Sequence, residues 1–115
     1  MSDCLFCRIA AKEMPSNIVY EDNDFLAFHD ISPKAPVHVL IIPKKHLPDL
    51  DAADEVDLAM LGRLNLLAKN LAAQLGINES GYRLLTNCKS DSGQIVFHLH
   101  YHLLGGRFLG DICEP

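Results

Sequence analysis

Residues 98–102 read His-Leu-His-Tyr-His, so three of the chain's six histidines fall within five positions. In a β-strand, side chains at i, i+2 and i+4 point to one face. His98, His100 and His102 are therefore expected on one face of a strand spanning about 94–104. Phe97, Leu99, Tyr101 and Leu103 would line the other face and enter a core. Imidazole moves protons near neutral pH, attacks electrophiles and binds metals. Surface polarity is the bland reading, and strict alternation argues against it. A metal site is a sharper rival, since three neutral imidazoles can hold Zn²⁺. A row along one strand suits it less, because tetrahedral ligands are usually drawn from several elements.

Other residues carry weaker signals. Cys4 and Cys7 have C-x₂-C spacing on one side of a predicted helix. That is metal-ligand spacing, but one pair supplies half a site; two buried thiols or a redox pair are the alternatives. An isolated Asp30 usually serves a turn. His38, within the apolar run Val37–Ile42, reads by itself as a core histidine.

The elements that must position these groups follow from pattern. Asp3 is a candidate cap for a short helix from Cys4 to Glu13, ended by Pro15. Strands are expected over Asn17–Glu21, Asp24–His29, Val37–Ile42 and Tyr82–Asn87, with Ser32–Pro36 a proline-bracketed loop. Asp51 and Asp54 are candidate caps of a long helix reaching Leu75. Its apolar face is Met60, Leu61, Leu64, Leu67, Ala68, Leu71 and Leu75, and Gly76 follows. Antiparallel strands around one long helix make an α+β domain. That helix also carries Leu58, Ala59, Leu66, Ala72 and Ala73, a wider apolar arc than a small domain can bury alone. A two-fold homodimer is expected to cover it.

Composition bounds the rest. The 115 residues suit one domain, and 49% hydrophobic content supplies a core without disulfides. A formal charge of −5 and a pI near 5.6 argue against binding to nucleic acid. No apolar run is long enough to span a bilayer, so no membrane partner is expected. The acidic, h-region-free N-terminus Met1–Arg8 is no secretory signal. A cytoplasmic location with reduced cysteines is the expectation. No Walker loop or G-x-G-x-x-G fingerprint occurs.

Two segments together resemble the histidine-triad (HIT) superfamily: Phe28–His46, containing Phe-His-Asp-Ile-Ser-Pro-Lys-Ala-Pro-Val-His, and Gly93–Arg107. The Gly105-Gly106-Arg107 ending is similar to the Hint branch, purine nucleoside phosphoramidate hydrolases. The resemblance implies a five-stranded antiparallel sheet with one long and one short helix, extended across a dimer. It implies His100 as nucleophile, forming a covalent nucleotidyl-imidazole, with His102 bonding the phosphate and His38 and His98 in support. Asp30 and Ile31 would meet ribose and base. Asn87 and the amide groups at Gly93 and Gln94 would meet the phosphate. Catalysis would need no cofactor. Some members with the cysteine pair carry structural zinc; the ligands here would be Cys4, Cys7, His46 and His98. Two departures stand out. Ile95 occupies a position that is often polar near the leaving group, and the chain has no tryptophan. A dinucleoside-polyphosphate hydrolase and a nucleotide-binding regulatory module with little turnover are therefore the rival functions.

Overall fold

Alternation within the strands divides the apolar residues between two sheet faces, and a helix covers each. The computed structural model describes residues 3–113. The first two residues of the N-terminal stretch and the last two of the C-terminal tail lie outside it. The elements are α1 (Leu5–Ala10), β1 (Ile18–Glu21), β2 (Phe25–His29), β3 (Val37–Pro43), α2 (Leu58–Gln74), β4 (Tyr82–Thr86) and β5 (Tyr101–Gly105). Short 3₁₀ turns precede α2 and follow β4. The strands form one antiparallel sheet in the order β1-β2-β3-β5-β4.

On one face Phe25, Ala27, Val39, Ile41 and Leu103 pack against Leu64, Ala68, Leu71 and Ala72 of α2. Met60, Leu67 and Leu75 pack at the margin of this core. On the other face Leu26, Phe28, Leu40 and Ile42 pack against Phe6 and Ile9 of α1. The second core is smaller, and beside it the histidines reach a cleft.

Several sequence expectations shift. Cys4, not Asp3, caps α1: its sulfur accepts the Cys7 amide at 3.4 Å. The helix stops at Ala10 because Lys12 turns to a left-handed φ of 65°. The Glu13 amide then reaches back to the Arg8 carbonyl at 2.9 Å, a Schellman closure. Asp49 rather than Asp51 caps the first 3₁₀ turn; Asp51 pairs instead with Lys89 at 2.7 Å. Asp54 does cap, and forms a capping box with Asp57 at the turn leading into α2.

The histidine segment is the largest change. β5 begins only at Tyr101, so His98 and His100 lie outside the ladder. Tyr101 pairs with Ile41, and β3 ends two residues later at Pro43. Proline has no N–H to continue the ladder. The Pro43 carbonyl accepts the His98 ring instead, at 2.8 Å. The three histidines therefore do not share one strand face. Phe97 also departs from expectation: it is more than half exposed, whereas Leu99 and Leu103 are buried. Ala72 lies in the molecule's own core, while Leu58 and Leu66 remain exposed.

Candidate active site

A cleft of about 400 Å³ opens beside α1, lined by His38, His100, His102, Asp30, Asn87 and Gly93, with Phe6, Leu40, Leu85 and Leu104 among its apolar walls. Backbone hydrogen bonds fix the proton on His38 and His100, and through His38 on His102, because a backbone amide can only donate and a carbonyl only accept.

The chain of contacts starts in the loop before β3. The Lys34 amide donates to His38 Nδ1 at 3.0 Å. That nitrogen is therefore a lone-pair acceptor, and neutral His38 carries its proton on Nε2. This N–H meets His102 Nδ1 at 2.9 Å, with Asp30 Oδ2 3.5 Å away. His102 must accept on Nδ1 and carry its own proton on Nε2. His100 is set separately: its Nδ1–H donates to the His98 carbonyl at 2.7 Å. Its Nε2 therefore keeps a free lone pair. The Thr86 hydroxyl holds the His100 carbonyl at 2.7 Å, and Phe6 packs edge-on against the ring at 5.0 Å.

Electrostatics favours these neutral forms. Burial pushes the His100 imidazole below its ordinary value, opposed by its backbone bond and by Asp30. Burial, reinforced by the neighbouring His100 and His38 rings, pushes His102 down to about 4. His38 is lowered by burial, partly offset by Asp30. Neutral rings leave a lone pair on His100 Nε2 and an N–H donor on His102 at physiological pH.

His98 turns elsewhere. Its Nε2–H is held by Pro43, so Nδ1 presents a lone pair. That atom lies 3.4 Å from the sulfurs of both Cys4 and Cys7 and 3.1 Å from His46 Nδ1. Cys7 Sγ is 3.3 Å from His46 Nδ1. All four donor atoms lie within 4.8 Å of one another. A tetrahedral Zn²⁺ with bonds of about 2.0–2.3 Å separates its donors by roughly 3.3–3.8 Å, so this S₂N₂ set fits zinc in chemistry and spacing. The His98–Pro43 bond supplies the outer-shell contact that orients a ligating histidine.

The three triad histidines do not converge on one metal position. His98 faces the cysteines, and His100 belongs to neither group of converging donors among the described residues. Asp30, His38 and His102 do converge. There, however, the His38 Nε2 proton occupies the His102 lone pair that a metal would need.

The nucleotide-contact residues of the sequence reading divide. Asp30 and Asn87 line the cleft. Asp30 is also a turn residue, its Oδ1 accepting the Ser32 amide at 2.8 Å. Ile31 is not brought into the cleft wall; its side chain is 97% exposed. The amides of Gly93 and Gln94 are not free donors, since they serve the carbonyls of Ser90 and Lys89. The left-handed Gly93 (φ 88°) closes that turn. The Gln94 side chain is a brace: it accepts the Lys89 amide at 2.7 Å and donates to the Pro48 and Val96 carbonyls. Ile95 and Val96, which also line the cleft, have no internal acceptor for their amides among the described residues. Sequence reasoning missed these donors, along with the Lys34 amide and Phe6. The turn signal Ser92-Gly93 points to the first pair; nothing local marks the others.

Comparison with known proteins agrees with this architecture. The HIT domain family model matches residues 11–109. An uncharacterised HIT-like protein of Synechocystis is 55% identical over 105 residues, covering 91% of each chain. The purine nucleoside phosphoramidase of Escherichia coli is 46% identical over 108 residues, 94% of this chain and 91% of that one. A HIT family hydrolase from Clostridium thermocellum superposes with a TM-score of 0.94 at 49% identity, covering 98% of both chains. One from Legionella pneumophila gives 0.93 at 48%, covering 94% and 96%. The chain belongs to the HIT domain family, and its kind is that of the family's hydrolases. No helix among the described residues is long and apolar enough to cross a membrane.

Proposed function

We propose that the protein hydrolyses purine nucleoside 5′-phosphoramidates by way of a covalent intermediate on His100. The observation that carries this reading is the His100 Nδ1–H bond to the His98 carbonyl, which aims a neutral Nε2 lone pair into the cleft. Attack by Nε2 on phosphorus forms a P–N bond to the imidazole as the P–N bond to the amine breaks. Water then displaces the imidazole and releases the nucleoside monophosphate. Over both steps water contributes its hydroxyl to phosphorus and a proton to the amine. One difficult displacement becomes two easier ones. The His102 Nε2–H and the backbone amides of Ile95 and Val96 would bond the non-bridging oxygens as charge builds. Asp30 offers an oxygen to ribose hydroxyls. The E. coli relative named above lends weight to the phosphoramidate substrate.

The test is mass spectrometry after rapid mixing with adenosine 5′-phosphoramidate. A transient mass gain of one adenylate, mapped to His100, is expected. Turnover without that adduct removes the mechanism. Faster turnover of a diadenosine polyphosphate than of an AMP-amine reassigns the substrate. Binding without turnover favours the regulatory-module reading, which rests on the Ile95 side chain having no donor for the leaving group.

Two further parts belong to the proposal. Cys4, Cys7, His46 and His98 would hold a structural zinc that clamps α1 to the sheet; it takes no part in the chemistry. The working unit would be a homodimer. Leu58 and Leu66 are 73% and 62% exposed on α2, and β4 is a terminal strand of the sheet. Pairing helix with helix and edge with edge satisfies both. Light scattering at micromolar concentration is expected to give twice the subunit mass, and Leu66→Asp to halve it. A monomeric wild type removes the dimer.

A further inference from the structure

The Gly105-Gly106-Arg107 run that follows the catalytic histidines has no role in the chemistry above, yet it touches the loop that sets the proton positions. Arg107 Nη2 donates to the Lys34 carbonyl at 2.7 Å, and its Nη1 donates to the Phe108 carbonyl at 2.8 Å. Lys34 is the residue whose amide holds His38 Nδ1. Gly106 lies directly on the same loop. A Cβ there would come within 2.9 Å of the Pro36 Cβ, and its φ of +94° also favours glycine. Otherwise the loop is tied by the Asp30 amide to the His38 carbonyl, by the Ser32 amide to Asp30, and by burial of Ala35 against Leu104 and Leu109. None of these fixes the Lys34 peptide groups.

We propose that Arg107 is a positioning residue that sets the polarity of the His38–His102 relay. By holding the Lys34 carbonyl, with Gly106 seated against Pro36, it keeps the Lys34 amide aimed at His38 Nδ1. The consequence follows from hydrogen-bond polarity. If that amide swings away, neutral His38 can carry its proton on Nδ1, and its Nε2 then turns a lone pair toward His102 Nδ1 at 2.9 Å. Two lone pairs at that distance repel, so His102 moves its own proton to Nδ1 to donate. Its Nε2 then offers a lone pair to the cleft, where a phosphate oxygen requires an N–H. One hydrogen bond from Arg107, which does not line the cleft, thus decides whether His102 attracts or repels the substrate's phosphate. The proposal takes its substrate from the phosphoramidate reading, but the proton positions can be read without it.

The experiment is ¹⁵N NMR of histidine-labelled, otherwise native protein beside Arg107→Ala, Arg107→Lys and Gly106→Ala. Wild type should show His102 protonated at Nε2 and bare at Nδ1. Arg107→Ala and Gly106→Ala should shift His102 toward the reversed tautomer. With an AMP-amine substrate they should lower kcat by about tenfold, in the range of lost outer-shell contacts. KM should change less than kcat, and Arg107→Lys, which retains a single donor nitrogen, should recover part of both signals. A wild-type tautomer pattern in folded Arg107→Ala overturns the proposal. So does a reversed pattern in wild type. If Arg107→Ala does not fold, the Gly106→Ala spectrum decides by the same criterion, and an Arg107→Lys pattern displaced from wild type toward the reversed tautomer supports the proposal. If no variant and no wild type turns over phosphoramidates, the functional reading fails, while the NMR result still judges the role of Arg107.

Discussion

Two imidazole clusters share the short segment from His98 to His102 and use the same side chain in opposite ways. Around His98 the ring's Nδ1 lone pair, the Cys4 and Cys7 sulfurs and His46 Nδ1 converge within 4.8 Å. Around His102 the rings are chained, N–H to lone pair, from the Lys34 amide through His38. The donor set of the first arrangement is of a kind that could hold a cation at its centre. The second already contains its protons and wants an anion at its end. Residue type does not distinguish them. What differs is the backbone partner of the remote ring nitrogen: a carbonyl for His98 and His100, an amide for His38. A carbonyl leaves a lone pair on the far nitrogen, and an amide leaves a proton there.

The comparison breaks most sharply at His100. His100→Ala is expected to lower phosphoramidate turnover by several orders of magnitude while nucleotide binding persists, as deletion of a covalent catalyst does elsewhere. Retention of more than a few per cent of the rate would place the nucleophile elsewhere. His38→Ala should be milder. It removes the N–H that fixes His102, and a loss of about 10–100-fold in kcat is expected, with little change in nucleotide affinity. Equal losses in His38→Ala and His100→Ala would erase the distinction between positioning and attacking groups.

The other cluster should respond in stability rather than rate. Protein purified without chelator is expected to contain one zinc per subunit. Chelation or Cys4→Ser should lower Tm by at least about 5 °C, the shift that roughly 1 kcal/mol produces in a domain of this size. The rate per folded molecule should fall by less. An apo protein with unchanged Tm removes the metal. Zinc bound by His100 and His102 instead would invert the assignment of the two clusters.

Acid sharpens the comparison further. His102 is pushed down to about 4, while an imidazole in the unfolded chain titrates near 6.5. As pH falls below about 6.5 the unfolded state takes up the proton first. The stability associated with His102 is thus fully present above about 6.5 and is lost between there and about 4, at up to roughly 1.4 kcal/mol per pH unit. Activity per folded molecule should stay level through the upper part of that window and fall as pH approaches 4. An acid limb near 6.5 in His102-dependent activity would show that the ring is not shielded as described.

Much of this was readable along the chain. The apolar run Val37–Ile42 marked a buried strand with His38 inside it, and both the strand and the burial of His38 hold. The helical spacing from Met60 to Leu75 marked the larger core, and Gly93 marked the turn before the histidines. These are local properties, since side-chain direction follows from a backbone period of 2 or 3.6 residues. The errors were also local in origin. Alternation was carried back through His98 and His100, although Pro43, far away in sequence, ends the ladder that such a strand requires. Gly93 and Gln94 were assigned free amides that their own turn consumes.

Side-chain chemistry and spacing alone determine that alternating imidazoles, a half-site of thiols and an apolar helix are present. Family resemblance ties them to particular residues. Tertiary structure decides which nitrogen of each ring holds the proton. That choice depends on whether a carbonyl or an amide from another element faces the ring: Pro43 for His98, Lys34 for His38, and Arg107 behind Lys34. Those contacts join residues up to 73 positions apart. No local period encodes them, because they exist only once β3, β5 and the loops at their ends have closed on one another.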